Sequence, residues 1–373
     1  MLFLIYHGFE EYNGISKKIN YQMQAFRECG ITTHICYLTD QQMYKRRWID
    51  NQIIRDYGNT LQAKIWKRTD FNCIVKYVKQ EEISLVYVRH DHNANPFTIS
   101  LYKKLQKAGC KIALEIPTYP YDQEYLGFPL TERLNLFIDK CFRKRMAHHV
   151  DRIVTFSTEK EIWGKRTIQI SNGIDFEQTP MKQHHNSREN EIHLIAVAEI
   201  HRWHGLDRVL KGLVLYYEKS PRITVFFHVV GQANEKDGEE MKEIIHNGHI
   251  EKYVTFHGRK HGEELNTLFK IADMGIGSLG RHRSGITNIK TLKNREYAAR
   301  GIPFTYSETD EDFDNMPYVY KFQPDESPIN ISNLVDFYQN HPWSPKTIRD
   351  SIKHLSWKEQ MSKVINEMKG VQE

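Results

Sequence analysis

The feature that most constrains this chain is an alternation that runs through it twice. Short apolar runs of strand length are followed by segments whose apolar residues recur every three or four positions. The first set opens with MLFLIYH, then a helix carrying Ile15, Ile19, Met23 and Phe26 and closed by Gly30. ITTHICYL follows as a strand, and residues 41–80, basic and less regular, are predicted helical. ISLVYVRH is the next strand. Pro96 opens a helix with Phe97, Leu101 and Leu105 on one face, and Gly109 ends it. KIALEIP, a long helix over 130–148, RIVTFS, a capped helical turn in STEKEIW, and TIQIS complete the set.

After a polar stretch, QTPMKQHHNSRENE (178–191), which is the best linker candidate, the pattern restarts. Its strands are IHLIAVAEI, ITVFFHVVG, YVTFHG, DMGIGSL and IPFTYS, with helices over 205–218, 238–247 and 262–271 and one beginning near Thr291. Two successive strand–helix sets predict an α/β fold of two Rossmann-like domains with mostly parallel sheets, at residues 1–172 and 173–355. The terminal helix, 356–373, is expected to cross back to the first domain. Ligands of such sheets sit beyond the carboxyl ends of the strands, and two such domains facing one another make a cleft.

Composition narrows the function classes. With 40% hydrophobic and 27% charged residues, the 373-residue chain is globular, not disordered. The run MLFLIY is too short to span a bilayer and lacks a basic flank and cleavage site, so a cytoplasmic protein is expected. Five scattered cysteines without a CxxC argue against disulfides and a zinc site. Residues 1–170 carry 26 Lys and Arg against 18 Asp and Glu, the remainder 26 against 29. A basic first half suits a different partner from the second half, although drift among surface charges accounts for it equally well. No nucleic-acid-binding module is recognisable.

The stretches after strands carry the candidate chemistry. YHGFEEYNG offers Gly8 and Gly14 for close backbone approach before a helix start, but it is neither a GxGxxG fingerprint nor a Walker loop. EIHRWHGLDR gathers Arg202, His204 and Arg208 around Gly205, where cations could neutralise a diphosphate. GSLGRHRSGITNIKTLKNRE (277–296) holds Arg281, Arg283, Lys290, Lys293 and Arg295 with three glycines, a loop into a helix that can cradle phosphates. Two cations in a first helical turn oppose the helix dipole, whereas Glu296 suits it and could accept hydrogen bonds from a sugar diol. RHDHN (89–93) and EIPTYPYDQE (115–124) bring Arg89, His90, Asp91, Glu115, Asp122 and Glu124 toward one edge. TDEDFD (309–314) is either a solvated acidic turn or an Asp-x-Asp cation site.

Taken together, WHGLDR, NGID, LKNREYAARGIPF and EIPTYPYDQEY resemble the bacterial glycosyltransferases of family 4, of the GT-B fold. Within that family the chain looks like the type found in capsule, exopolysaccharide and O-antigen gene clusters. The resemblance covers nearly the whole chain. It implies retaining, metal-independent transfer from a nucleotide-sugar co-substrate, with no cofactor. The acceptor it implies is a glycan or a polyprenyl-diphosphate-linked glycan, with peripheral contact to anionic membrane through basic amphipathic segments such as 130–148 and KRRWI (45–49). Of the two glutamates the family spaces eight positions apart, Glu296 supplies the ribose-binding second, and the first falls at Asn288, an amide able to bond sugar hydroxyls. His204 stands where the family commonly has lysine. The family's active-site histidine has no counterpart; Glu115 and Thr118 are the catalytic candidates there, beside Lys293. The donor set implied is Gly14, Arg202, His204, Arg208, Gly231, Arg259, Asn288, Thr291, Leu292, Lys293 and Glu296, with Arg89 and Tyr119 on the acceptor side. A GT-B nucleotide-sugar epimerase and a non-catalytic nucleotide-sugar-binding partner are the alternatives.

Overall fold

The computed structural model describes residues 1–9, 14–40, 44–122, 129–183, 190–285, 288–341 and 343–370. The chain divides into two compact units, Met1–Ser171 with Trp357–Glu373, and Asn172–Ser356.

The first unit runs β1 (Leu2–Leu4), α1 (Gly14–Glu28), β2 (His34–Thr39), β3 (Lys45–Ile49), β4 (Gln52–Gly58), α2 (Leu61–Thr69), α3 (Asn72–Gln80), β5 (Leu85–Arg89), α4 (Pro96–Lys107), β6 (Lys111–Ile116), α5 (Leu130–Ala147), β7 (Arg152–Thr155), β8 (Glu161–Ile162) and β9 (Lys165–Gln169). Its sheet has the order β4-β3-β2-β1-β5-β6-β7-β9-β8. The strands from β2 to β9 in that order are parallel; β3–β4 and β8 are antiparallel edges. The helix expected over 41–80 is therefore in part a β-hairpin. KRRWI is a strand whose Lys45, Arg47 and Ile49 point inward. Arg47 is fully buried on Tyr57 Oη and the Lys67 carbonyl. That stretch is not a lipid-facing amphipathic segment. The turn expected in STEKEIW contains β8 instead.

Local chemistry explains the firmer elements. Asn95 caps α4 in a capping box with Thr98, and Pro96 occupies the first turn, where no N–H is missed. Leu101 and Leu105 enter the core, but Phe97 stays 50% exposed. Ile19, Met23 and Phe26 of α1 are likewise buried and Ile15 is not.

The second unit runs β10 (Glu191–Val197), α6 (Leu206–Tyr217), β11 (Thr224–Val230), α7 (Glu235–Asn247), β12 (Val254–Gly258), α8 (Gly262–Ile271), β13 (Met274–Ile276), α9 (Leu292–Arg300), β14 (Phe304–Tyr306), β15 (Val319–Lys321), α10 (Ile331–Asn340) and α11 (Pro345–Ser351). Its sheet, in the order β12-β11-β10-β13-β14-β15, is parallel throughout. The polar stretch at 178–191 is not the boundary between the units. Lys182 from it is buried in the second unit, its ammonium on the Ala272 carbonyl at 2.6 Å and Asp273 at 3.2 Å. The terminal helix, α12 (Trp357–Lys369), packs on α1 within the first unit, burying Trp357, Met361 and Val364.

Candidate functional site

In the second unit three loops meet beyond the carboxyl ends of β10, β13 and β14. The first follows β10 and passes through a single turn at Arg202–His204 into α6. Gly205 there has φ +65°, and a Cβ on it would lie 2.6 Å from the Leu279 backbone. Only glycine lets this loop press against the one after β13. Gly231, closing β11, is under the same constraint: φ is +133° and a Cβ would stand 1.7 Å from the Ala198 carbonyl oxygen. The third loop follows β14, where the Ser307 amide donates to the Ser278 carbonyl at 3.0 Å.

Lys293, in the first turn of α9, is the centre of this region. Its ammonium donates to Ser278 Oγ at 3.3 Å. Burial drives its pKa down to about 7, with Glu308 opposing that fall and Arg281 adding to it. Glu308 answers it from the loop after β14: it is 1% exposed, and no other residue hydrogen-bonds either carboxylate oxygen. Burial pushes its carboxyl up to about 7, against its own backbone N–H and the charges of Lys293 and Arg281. His204 is buried, and the His201 amide donates to its Nδ1 at 3.1 Å. That fixes the proton of the neutral ring on Nε2. Burial, then Lys293 and Arg281, hold the imidazole well below its usual pKa, so it stays neutral. Thr291 Oγ1 and Ser307 Oγ are also buried without a partner.

The other expected site residues fall into distinct places. Arg202 and Arg259 are exposed on the surface of this unit, Arg259 at 3.9 Å from Glu199. Asn288 and Leu292 are exposed, and Asn288 pairs with Thr309, next to Glu308. Glu296 is half-buried, with one oxygen 2.9 Å from the Arg300 guanidinium. Arg208 is 1% exposed and committed to the Ser327, Leu279 and Gln323 carbonyls and to Asp325. It ties two loops to α6 and is not an open ligand arm. Arg295 is fully buried between Asp310 and Asp312. Asp314 holds Tyr306 Oη and Lys321. The acidic run is thus neither a solvated turn nor an Asp-x-Asp cation site, because its aspartates already hold protein donors.

In the first unit Glu115 is fully buried, with Gln22 Nε2 and Tyr87 Oη each at 2.6 Å, the Arg89 guanidinium against it and Lys18 at 3.7 Å. Burial works to raise its pKa, but Lys18 and Arg89 outweigh this and hold the carboxyl below its usual range. Glu115 and Arg89 are therefore each other's partners in a closed ion cluster. Thr118 and Tyr119 are half-buried in the loop after β6, Tyr119 edge-on to Trp163. Gly14 is the first residue of α1, and residues 10–13 and Glu124 lie outside the described residues. Asp122 pairs with Arg143 at 2.7 Å.

Ser278 and Glu308 were not singled out from sequence. The signal for Glu308 was a carboxylate directly after the apolar strand IPFTYS, hidden by the acidic run behind it.

No family model matches the chain, and no curated protein matches its sequence. Solved structures do. The sucrose-phosphate synthase of Thermosynechococcus elongatus superposes with a TM-score of 0.65 at 14% identity, over 100% of this chain and 99% of its own. A glycosyltransferase from Rickettsia africae gives 0.64 at 12% identity, over 100% and 98%. Anabaena HepE, solved in complex with UDP and glucose, gives 0.62 at 12%, over 99% of each chain. The fold they share with this chain is GT-B, two α/β units each built on a largely parallel sheet.

Proposed function

We propose that the chain is a retaining glycosyltransferase of the family 4 kind. It moves a sugar from a nucleotide-sugar held by the second unit to a glycan or polyprenyl-diphosphate-linked acceptor taken by the first, in surface polysaccharide synthesis at the cytoplasmic face of the membrane. The observation that carries this reading is the cationic start of α9, where the half-buried Lys293 stands beside Ser278 and within electrostatic reach of His204 and Arg281. Cleaving a glycosyl diphosphate puts negative charge on the leaving oxygens, and fixed cations and helix N–H groups stabilise that charge more in the transition state than before it. In a front-face displacement the C1–O bond to the diphosphate breaks as the acceptor oxygen bonds C1, and the acceptor's proton passes to the leaving phosphate. No carboxylate nucleophile is required, and cations of the chain take the charge that a metal would otherwise carry. Glu296 is read as the ribose partner, through the oxygen not held by Arg300. The Anabaena neighbour's bound UDP and glucose support a donor of this class.

Contact with anionic membrane is part of the reading. On α5, Leu134, Phe137 and Ile138 are 58%, 63% and 38% exposed beside Lys140, Lys144 and Arg145. An apolar stripe that does not pack on its own sheet, flanked by cations, suits a lipid surface. No helix among the described residues is long and apolar enough to cross a membrane.

The test is a thermal-shift panel of UDP-, GDP-, ADP- and dTDP-sugars, followed by donor hydrolysis and transfer assays with the sugar nucleotide that binds. Ligand at 100 times its Kd stabilises by about 2.7 kcal/mol. Lys293→Ala is expected to lower turnover about 10²–10³-fold with little loss of fold; unchanged turnover defeats the assignment. Binding without hydrolysis or transfer favours the non-catalytic partner, and sugar interconversion without an acceptor favours the epimerase.

A further inference from the structure

A buried carboxylate with both oxygens empty is costly. A native chain rarely keeps such a group unless something outside the chain fills it. Glu308 is that group, and its surroundings say what kind of ligand would suit it. Lys293 and the Nε2–H of His204 present donors only, and a diphosphate is an acceptor-only ligand. On the β14 side the balance reverses. Glu308 offers two acceptor oxygens, and Ser307 Oγ and Thr291 Oγ1 are buried without partners. A polyol donates through each of its hydroxyls. A glycosyl diphosphate has this two-sided make-up, acceptors at one end and donors at the other. Orthophosphate or a free nucleotide would leave Glu308 empty.

We infer that Glu308 is the residue that reads the sugar of the donor, accepting hydrogen bonds from hydroxyls of the glycosyl group whose phosphates lie on Lys293. This deepens the glycosyltransferase reading and rests on it. Glu308 contacts the sugar, and Lys293 contacts its leaving group. The two side chains therefore divide the affinity of the intact donor between them.

The experiment is calorimetric titration of the wild-type chain, Glu308→Gln and Lys293→Ala with UDP, GDP, ADP and dTDP and with their glucose, galactose and N-acetylglucosamine esters. The quantity read is the ratio of sugar-nucleotide affinity to parent-nucleotide affinity. In the wild type one ester is expected to bind at least tenfold more tightly than its parent nucleotide. In Glu308→Gln that ratio falls to near one while parent-nucleotide affinity stays within about threefold. In Lys293→Ala both affinities fall together and the ratio is kept. A Glu308→Gln protein with the wild-type ratio and ester preference overturns the inference and leaves the donor site standing. A wild-type chain that binds no nucleotide of the panel overturns both. A role in folding alone would change the melting temperature of Glu308→Gln without changing the ratio.

Discussion

Replacing Arg295 with methionine tests how the start of α9 is held. The Arg295 guanidinium is fully buried and lies 2.5 and 2.9 Å from the two Asp310 oxygens, against Asp312, and 3.1 and 3.0 Å from the Asn172 and Thr291 carbonyls. Methionine fills much of the same volume but donates nothing. Breaking a buried pair by removing one partner costs about 3–5 kcal/mol. Asp310 keeps the Asn294 amide at 3.1 Å and Asp312 is 16% exposed, so both retain some relief. The expected loss is about 4 kcal/mol, which at about 2–4 °C per kcal/mol for a unit of this size lowers its melting temperature by about 8–16 °C. Circular dichroism against temperature and urea reads it. The triple variant Arg295→Met/Asp310→Asn/Asp312→Asn is expected to recover at least half of the loss, since a buried ion cluster can be exchanged for neutral groups at small cost. A single-variant loss below about 1 kcal/mol, or a triple variant no better than the single, would refute the reasoning.

Gly231→Ala forces a Cβ into the Ala198 carbonyl at a φ that L-residues rarely adopt, and is expected to cost about 2–4 kcal/mol in urea unfolding. Glu308 has its folded pKa raised from 4.5 to about 7, so the stability it contributes below pH 4.5 is lost as pH rises to 7. Without ligand, the melting-temperature advantage of Glu308→Gln over wild type should therefore grow from pH 5 to pH 7; a flat difference counts against a buried ionisable group. Phe137→Asp is expected to reduce flotation with anionic liposomes at low salt severalfold while leaving thermal stability within about 0.5 kcal/mol, as for an exposed position. Equal flotation removes α5 from the membrane-facing surface.

The second unit was legible as far as β14 because its central strands β10, β11 and β13 are mostly apolar and buried, as covered parallel strands require, whereas β15, α10 and α11 behind them were not read. The β3–β4 hairpin was not. Its inward positions include Lys45 and Arg47, whose burial depends on partners at Asp40, Tyr57 and Lys67 that no local pattern shows. The same blindness affected the site. Sequence placed Glu115, Arg208 and Lys293 equally at strand or helix ends, and only the count of protein partners separates them. Glu115 has four and Arg208 is closed on loop carbonyls and Asp325, whereas Lys293 ends on one hydroxyl.

That difference answers why a helix should begin with cations. Along 283–300, Arg283 ends on Asp207 and Glu326, Arg295 on Asp310 and Asp312, and Arg300 on Glu296. Each of these charges is cancelled within the chain and serves architecture. Lys293 has Glu308 in electrostatic range but is bonded only to Ser278, and it sits where the helix dipole is positive, so burial and dipole both disfavour its charged form. Burial likewise raises the carboxyl pKa of Glu308, and each of the two charges opposes the shift of the other. In the proposed donor complex, a diphosphate beside Lys293 would favour the charged ammonium and leave Glu308 to the sugar hydroxyls. In the proposed reading, a donor that is anionic at one end and hydroxylated at the other would meet Lys293 with its phosphates and Glu308 with its hydroxyls.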